Sequence, residues 1–518
     1  MSDGDLAIRS GKRLLPDPSR VIARLFVPGQ ELVGGSESRA SAVAGRVLAL
    51  DEADVDRALA DITRRFGARH RQLTDTFRQH ADRISGHIAD ADMSEAQRLL
   101  LGATFTHEYS IEGAALCNPC MVADPDQREA PPGGLRFVMS VRGIGEGHRS
   151  SIGFRTGTVH ADRTVSVDNP GPTSLVASVT SGSLDRDVFH GKLVEFGEDG
   201  ESAAYVLDAL AERFEEEDLE RSLLRLWSQH DTRQNAEDTI SRLRAIASHS
   251  YTAHFPPATD ISERVLWPAT AAESHGMEDA RFVRFVDDDG AVTYYATYTA
   301  FDGVSIVQQL LETTDFVTFS VSPIVGSAAA NKGLALFPRR IGGHLAALSR
   351  HDHETNSVAF SDNPCRWDRA VPVQLPRQPW EMIQLGNCGS PIETSEGWLV
   401  LTHGVGPMRT YSIGAVLLDL EDPTRIIASL SEPLLSPSAD DQDGYVPNVV
   451  YSCGALVHAD TLVVPYGIAD TAIGMATVPI TDLMAAFDHR PRRSRAKQIA
   501  AEAKSEEEAR EVPHREAQ

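Results

Sequence analysis

Short apolar runs separated by polar or glycine-rich turns recur along the chain and predict antiparallel β-hairpins. In each recurrence, a strand-like run leads through a turn into a second run of small and apolar residues. The five hairpins begin at Leu135, Val292, His344, Gly397 and Asp460. Each follows another apolar segment, and these segments begin at Leu116, Met277, Leu334, Gly389 and Val446. A segment, a hairpin and an outer strand would make one four-stranded blade, so the pattern favours a five-bladed β-propeller over a β-sandwich with coincidental spacing.

Two regions break this pattern and predict amphipathic helices. The first, residues 51–105, opens with Asp51 or Glu52 as the candidate N-cap. It carries apolar residues at helical spacing, namely Val55, Leu59, Ile62 and Phe66. The second, residues 203–247, lies between the first and second repeats and has a similar apolar stripe, namely Leu207, Leu210, Phe214, Leu219, Leu223 and Leu226. Both stripes favour packing in a core over binding of a partner.

The predicted fold class is therefore an all-β core, a five-bladed β-propeller, with an α-helical N-terminal region and a helical insertion. We expect a largely helical N-terminal extension over residues 1–110. The propeller domain is expected over residues 111–487, with the helical insertion at about 185–260. A charged tail should follow over residues 488–518.

Composition and charge exclude several classes of partner and site. The net charge is −25, from 49 basic and 74 acidic residues, and such a surface repels nucleic acid and anionic membranes. The sequence shows no secretory leader and no apolar run of the ~18 residues that would span a bilayer, so a cytoplasmic location is expected. Five cysteines in 518 residues do not suggest a disulfide framework. Cys117 and Cys120 have no second ligand pair at zinc spacing, so no metal site is predicted.

Candidate chemistry concentrates at the ends of the predicted inner strands, where the sites of propellers gather. The segment ESHGMEDAR at 273–281 contains two adjacent acids, Glu278 and Asp279, just before an apolar strand. Adjacent residues on a strand point to opposite faces, so at most one of the two should face a central channel. The other repeats supply further polar groups, namely Arg142, His148, Asp302, Lys332, Arg350, His403, Tyr411, Asn448 and Asp470. One acid among several cations fits a site that uses a proton donor and binds an oxyanion.

The chain resembles glycoside hydrolase family 130, the β-mannoside phosphorylases and related β-mannosidases. Five motifs carry the resemblance: GMEDARF at 276–282, TYTAFDG at 297–303, LFPRRIGGHLAALSR at 336–350, GWLVLTHGV with YSIGAVLLDLEDP within 397–423, and VPNVVYSCGAL with YGIADTAIGMAT within 446–477. The resemblance covers about residues 116–485 and is interrupted by the helical insertion. Residues 1–110 and 185–260 match only the longer family members.

The resemblance implies a five-bladed propeller and inversion at the anomeric carbon. It also implies that Asp279, in the family's E-D-P-R motif, is the proton donor and acts through a mannose hydroxyl. The family's proline is Ala280 here, a change that alters backbone stiffness more than chemistry. The family's phosphate-binding positions correspond to Lys332, Arg350 and His403, with Tyr411 assisting. The resemblance implies a sugar contact for Asp470. The other candidate sugar contacts are Asn118, Arg142, Glu273, Arg281, Asp302 and Asn448, and Arg142 could instead join the phosphate site.

The cationic cluster favours phosphorolysis over hydrolysis. An inverting hydrolase needs a second carboxylate to activate water, whereas phosphate is already a nucleophile and needs cations to hold it. The expected function is an inverting β-mannoside phosphorylase that converts β-linked manno-oligosaccharides and inorganic phosphate to α-mannose 1-phosphate. Glu273 or Asp470 could serve as a base, so a β-mannosidase remains an alternative. A β-mannosyltransferase with another donor and a non-catalytic binding module are further alternatives. No cofactor is expected beyond phosphate as co-substrate, and a homo-oligomer stays open.

Overall fold

The computed structural model describes residues 6–28, 32–33, 37–84, 93–228 and 236–488. Its N-terminal region combines short strands with helices: β1 (Ile8–Arg9), β2 (Val21–Leu25), β3 (Leu32–Val33), β4 (Glu37–Ser38), α1 (Arg39–Leu48), α2 (Glu52–Phe66), α3 (Leu73–Ile84), α4 (Glu95–Thr104) and β5 (Thr106–Ser110). Asp51 caps α2 as predicted, because its side chain accepts the Asp54 N–H. Val55, on the apolar stripe of α2, is fully buried against α4. The helical stripe predicted over 52–66 is therefore confirmed.

The rest of the described chain is mostly antiparallel sheet. The first strand group contains β6 (Ala115–Ala123), β7 (Leu135–Ile144), β8 (Ser150–Val159) and β9 (Val165–Val167). The inserted segment contains β10 (Leu175–Val176), β11 (Ser178–Ser181), β12 (Leu184–Asp185), α5 (Arg186–Phe196), α6 (Glu201–Leu207), β13 (Arg213–Phe214), α7 (Glu216–Trp227), α8 (Ala236–Ala247), β14 (Tyr251–His254) and β15 (Arg264–Leu266). The second group contains β16 (Gly276–Val286), β17 (Val292–Phe301), β18 (Ile306–Thr313) and β19 (Thr318–Pro323).

Three further groups complete the chain. The third contains β20 (Ala335–Leu336), β21 (Leu345–Ser349), β22 (Asn356–Ser361) and β23 (Ala370–Gln374). The fourth contains β24 (Gln384–Asn387), β25 (Ile392–Thr394), β26 (Gly397–Val405), β27 (Tyr411–Leu418) and β28 (Ile426–Ser429). The fifth contains β29 (Val450–Tyr451), β30 (Leu456–His458), β31 (Thr461–Ile468) and β32 (Ala472–Pro479), followed by α9 (Ile480–Ala486). A mainly β core is thus confirmed.

All five predicted hairpins are present and antiparallel. They are the pairs β7–β8, β17–β18, β21–β22, β26–β27 and β31–β32. Strand β26 is buried along its whole length, which explains why its sequence GWLVLTHGV is apolar almost throughout. The segment predicted to precede this hairpin starts at Gly389, but the structure adds an earlier strand, β24, that also pairs with β26. The sequence missed β24 because four residues without alternation give no strand signal.

The strand groups meet in shared apolar cores. One core joins the first, second and fifth groups through residues such as Phe154, Phe282 and Val449. The phenyl rings of Phe154 and Phe282 lie 6.0 Å apart at 71°, an edge-to-face contact that contributes about 0.5–1.5 kcal/mol beyond burial. The first and second groups belong to one continuous sheet, in which Ser150 of β8 pairs with Gly276 of β16. These contacts fix the start of β16 relative to the first group.

The inserted helices pack around a core of their own. Leu193, Leu223 and Leu243 are buried in it, one from each of α5, α7 and α8. The sequence predicts helical spacing through Phe214, and this is wrong. Phe214 is buried but lies in β13, which pairs with β12. A capping box between Glu215 and Asp218 starts α7 immediately afterwards, so the chain turns there.

The N-terminal strand closes the sheet of the fifth group. Ile8 of β1 pairs with Thr477 of β32 in antiparallel register. Arg9 and Arg13 both form ion pairs with Asp441, at 2.5 and 2.9 Å, and the Asp441 side chain is almost fully buried. None of the described helices is long and apolar enough to cross a membrane. Beyond Asp488, the predicted charged tail lies outside the described residues, and the cytoplasmic location stays a prediction.

Candidate active site

Asp279 lies at a backbone irregularity near the start of β16. The register of β16 against β17 shifts between Glu278 and Arg281, which marks a β-bulge. The φ angle of Asp279 is 56°, a left-handed conformation that costs a non-glycine residue on the order of 1–3 kcal/mol. The residue is 5% exposed. Strain of this kind concentrates where a side chain must be aimed at a ligand, so the bulge marks the centre of the candidate site.

The bulge turns both neighbouring acids toward one arginine. Alternation along a regular strand predicts that Glu278 and Asp279 face opposite sides, and this prediction is wrong. Arg142 Nη2 lies 2.5 Å from Glu278 Oε1, and Arg142 Nη1 lies 3.7 Å from Asp279 Oδ1. The extra residue of the bulge interrupts the two-residue period of the strand, which explains the difference. Arg142, a predicted sugar contact, is thus an immediate neighbour of Asp279.

Two further residues hold Asp279 from the protein side. Asn118 Nδ2 donates to Asp279 Oδ1 at 2.6 Å, and Asn118 itself has a φ of 47° within a bulge of β6. Arg281 donates from Nη1 to the carbonyl oxygen of Asp279 at 3.0 Å and from Nη2 to the Tyr451 hydroxyl at 2.7 Å. Because Arg281 is 3% exposed and bonded to these internal groups, it supports the backbone of the acid, and its sugar contact stays a prediction.

Positive charge surrounds Asp279 and controls its protonation. Burial alone would raise the pKa of the carboxyl group, but Lys332 and Arg142, followed by Arg281 and Arg350, hold that pKa below its usual value. Cations from the first, second and third strand groups therefore all act on the carboxylate of Asp279. These cations favour the ionised form of Asp279.

Lys332 and Arg350 are cations without an ion-pair partner in the described part of the chain. No carboxylate oxygen there lies within 4.0 Å of either side chain. Arg350 is 9% exposed, and its Nε–H has no hydrogen-bond acceptor. A buried guanidinium that lacks both a counterion and a full set of acceptors is costly unless a ligand completes it. Lys332 and Arg350 are therefore the candidate anion-binding residues.

The charge of His403 differs from the sequence analysis, which counts this residue among the cations. Arg350 Nη1 lies 3.0 Å from His403 Nε2, and His403 Nδ1 lies 3.1 Å from the carbonyl oxygen of Asn387. A guanidinium can only donate, so Nε2 accepts and Nδ1 carries the proton. Burial, together with the charges of Arg350 and Arg281, lowers the pKa of His403 well below its usual value. His403 is consequently neutral and orients Arg350.

Asn448 accepts the Tyr411 N–H at its carbonyl oxygen, at 3.0 Å, and Asp470 brings the fifth strand group to the same site. Their φ angles are 62° and 48°, so both adopt the left-handed conformation seen at Asn118 and Asp279. Burial raises the pKa of Asp470 to about 6, and the negative charge of Asp279 adds to the rise, while Arg142, Arg409 and Lys332 oppose it. Arg409, an exposed residue with a φ of 55°, was not selected from the sequence. Its proximity to Asp470 depends on a turn that the sequence pattern does not specify.

The raised pKa of Asp470 predicts a pH-dependent gain of stability on its replacement. Its pKa in the unfolded chain is near 3.8 and in the folded protein about 6, so ionisation opposes folding. This penalty is absent below about pH 4, grows between pH 4 and 6, and is complete above pH 6. We expect Asp470→Asn to raise the free energy of unfolding on the order of 2 kcal/mol at about pH 8. Urea unfolding at about pH 8 and pH 4.5 measures the difference.

Asp302→Asn is the matched control for that experiment. Hydrogen bonds from the Ser305 and Val304 backbone lower the pKa of Asp302, so its loss should destabilise the fold at about pH 8. Equal stability of wild type and Asp470→Asn at both pH values would contradict the assignment.

Glu273 is a structural carboxylate, contrary to its predicted role as a sugar contact or base. Tyr251 and Tyr298 donate their hydroxyl protons to Oε1. The backbone N–H groups of Ala269 and Thr270 donate to Oε2 at 2.8 and 3.2 Å. Glu273 is completely buried. With both oxygens satisfied and no exposed surface, it is unable to reach a substrate.

Two further predicted residues, Asp302 and Tyr411, are partly exposed. Asp302 follows the end of β17, and its Oδ1 accepts the backbone N–H groups of Val304 and Ser305 at 2.8 and 2.6 Å. The ring of Tyr411 lies parallel to His403, with centroids 6.2 Å apart, and is partly exposed. One carboxylate oxygen of Asp302 thus accepts hydrogen bonds from its own turn. Tyr411 lies next to His403.

Sequence reasoning also missed Tyr451 and Asn387. Tyr451 lies within the motif VPNVVYSCGAL, and its ring centroid is 5.0 Å from that of His403. An aromatic residue inside an apolar strand signals core packing, so its hydroxyl contact with Arg281 gave no separate signal. Asn387 lies on β24, the strand that the sequence did not predict.

Comparisons with known proteins identify a family and several relatives. A family model described as beta-1,4-mannooligosaccharide phosphorylase, that of glycoside hydrolase family 130, matches residues 254–489. The 1,2-beta-oligomannan phosphorylase of Thermoanaerobacter sp. (strain X514) is 36% identical over 230 residues, covering 43% of this chain and 75% of that protein. The beta-1,2-mannobiose phosphorylase of Listeria innocua is 30% identical over 231 residues, covering 42% and 62% respectively. The solved Listeria innocua enzyme in complex with beta-1,2-mannobiose aligns with a TM-score of 0.43 at 20% identity, over 73% of this chain and 92% of that chain.

Proposed function

This chain belongs to glycoside hydrolase family 130, and from that membership we propose that it is an inverting β-mannoside phosphorylase. It cleaves a β-linked mannoside with inorganic phosphate and yields α-mannose 1-phosphate and a shortened acceptor. The observation that carries the proposal is the anion site of Lys332 and Arg350 beside Asp279, because these cations have no carboxylate partner among the described residues. A site built only to bind sugar has no need of two cations that lack a direct ion pair.

The reaction follows from the positions of charge. A phosphate oxygen held by Lys332 and Arg350 attacks the anomeric carbon from the face opposite the leaving group, while the glycosidic carbon–oxygen bond breaks. The departing oxygen takes a proton that originates on Asp279 and passes through a mannose hydroxyl. The β-configured bond is replaced by an α-configured phosphate ester, so the anomeric carbon is inverted.

Binding of phosphate would also prepare the acid. The surrounding cations hold the pKa of Asp279 below its usual value, which disfavours the protonated form that a donor needs. A phosphate dianion would offset the charges of Lys332 and Arg350 and would therefore raise the pKa of Asp279. The nucleophile and the proton donor would then become competent together, and a site without phosphate would stay inactive.

Hydrolysis is the second candidate function, and Asp470 is the observation that favours it. This carboxylate is partly buried beside Arg142 and Asp279, and its pKa is raised to about 6. A base with such a pKa could deprotonate a water molecule near neutral pH. Phosphorolysis remains the better supported function because hydrolysis would leave Lys332 and Arg350 without a role.

A phosphate-dependence assay tests the proposal. Wild-type protein is incubated with β-1,2- and β-1,4-mannobiose, with and without inorganic phosphate, and the products are identified by NMR. We expect turnover of at least one disaccharide that requires phosphate and gives α-mannose 1-phosphate. Release of free mannose at the same rate without phosphate would instead establish a hydrolase. The two linkages are compared because the site geometry leaves the linkage open.

We also propose that the five strand groups form a closed five-bladed propeller. Contacts between groups support a ring: β6 touches β16 and β31, β17 touches β20, β21 touches β24, and β27 touches β29. A groove of about 330 Å³ is lined by residues from every group, namely Val122, Val283, Pro338, Pro391 and Leu456. Residues from five groups that line one cavity fit the mouth of a central channel.

The domain division follows from the same proposal. We propose that residues 111–487 form the catalytic propeller, that 1–110 is an extension, and that 185–260 is an insertion. The substrates are a β-mannoside oligosaccharide and phosphate, and no residue's role in the proposed reaction requires a cofactor.

A further inference from the structure

We infer that Asn387 is a positioning residue that ties the two cations of the anion site together. This inference rests on the proposed phosphorolysis and adds a residue to it. Asn387 is 1% exposed and ends β24, the innermost strand of the fourth group. It lies where the third and fourth groups meet, between the loop that carries Lys332 and the pair formed by Arg350 and His403.

The side chain of Asn387 fixes the loop of Lys332. Its Nδ2 donates to the carbonyl oxygen of Gly333 at 2.6 Å, and its Oδ1 accepts the N–H of Gly389 at 3.2 Å. The donor from Gly389 identifies the oxygen, so the amide orientation is defined. Gly333 follows Lys332 directly and has a φ of 103°, a conformation reserved for glycine. The loop therefore depends on this buried contact for its shape.

The main chain of Asn387 fixes Arg350 through His403. The carbonyl oxygen of Asn387 accepts the Nδ1–H of His403, which leaves Nε2 free to accept from Arg350. The preceding residue, Gly386, allows this approach, because a Cβ there would lie 2.5 Å from His403 Cε1 and 2.8 Å from Arg350 Cδ. One short segment thus orients Lys332 through its side chain and Arg350 through its backbone.

The loop of Lys332 is also held from the other side. Asn331 Nδ2 donates to the carbonyl oxygen of Arg350 at 3.1 Å. The backbone on both sides of Lys332 is thereby held by amide side chains, those of Asn331 and Asn387. Like charges held together in this way repel each other, so without the Asn387 bond the loop should move Lys332 away from Arg350. The expected consequence is a selective loss of phosphate binding.

The test is steady-state kinetics of Asn387→Ala, with phosphate and mannoside varied separately. We expect KM for phosphate to rise at least about tenfold, while KM for the mannoside and kcat at saturating phosphate change less than about twofold. Asn387→Asp keeps the shape but replaces the donor with a negative charge near both cations. It should weaken phosphate binding more than the alanine variant does, and its melting temperature should be similar to that of the alanine variant.

Asn363→Ala is the matched control. Asn363 is also an asparagine whose side chain fixes a loop, since its Oδ1 accepts the Cys365 N–H at 2.9 Å, and it lies beyond the end of β22 that is far from Arg350. It should lower the melting temperature without changing KM for phosphate. An unchanged phosphate KM in Asn387→Ala, or equal rises in both KM values, would overturn the inference. A wild-type turnover rate that does not depend on phosphate would instead refute the proposed function itself.

Discussion

Replacing Asp279 with Asn is expected to reduce kcat about 10²–10⁴-fold while the protein stays folded. The amide is nearly isosteric with the carboxyl group, and its oxygen can still accept the hydrogen bond from Asn118. It has no acidic proton to give, so the departing oxygen would leave as an unprotonated anion. The measurement is kcat with mannobiose and saturating phosphate, with the melting temperature recorded in parallel.

Asp287→Asn is the control for this variant. Asp287 directly follows the far end of β16 and forms an ion pair with Arg340 at 2.8 Å. The Asp287→Asn variant loses the same negative charge from the same segment of chain, but the substituted residue is not part of the site. Its kcat should match that of wild type. Full activity in Asp279→Asn would show that another group donates the proton.

Replacing Arg350 with Ala is expected to reduce kcat/KM for phosphate on the order of 100-fold, because charge-assisted hydrogen bonds to a buried anion are worth about 1.5–3 kcal/mol. KM for the mannoside should change little, because the effect is confined to the anion. Arg350→Lys should recover only part of the loss, since an ammonium keeps the charge but lacks the two-pronged geometry that suits phosphate. Initial rates over a phosphate titration supply the comparison.

Arg339→Ala provides the matched control in the third strand group. Arg339 pairs with Glu393 at 2.7 Å and lies over the Trp398 ring, on the exposed side of the sheet. Its loss should leave the phosphate titration unchanged. If Arg350→Ala behaved in the same way, the anion would have to bind elsewhere in the molecule.

The hairpins could be predicted from the sequence because strand periodicity is local. Strands β26 and β31 are long apolar runs that end in turns, and such runs are visible without tertiary information. Strand β24 could not be predicted, because its four residues are specified by pairing with β26 and not by their own pattern. The residue that we infer to organise the anion site, Asn387, was missed for that reason.

The chemistry of individual side chains was predictable only in part. Asp279 and its cations were identified from motif resemblance, and the structure brings them together. The backbone bulge at Asp279 carries no periodic signal, so the shared contact of Glu278 and Asp279 with Arg142 could not be foreseen. His403 is neutral because of burial and an arginine 53 residues earlier. Glu273 is structural because tyrosines 22 residues before and 25 residues after it supply the donors.

The pairing of β1 with β32 has a consequence for how the molecule is made. Residue 8 lies opposite residue 477, so β1 must wait for a strand that is synthesised 477 − 8 = 469 residues after it. Contacts this distant along the chain are slow to form, because a long loop must close before they gain any energy. Asp470 and Asn448 belong to the part of the chain completed by that pairing. The nascent chain should therefore acquire its final active geometry only after translation has passed β32, whatever order the earlier sheets follow.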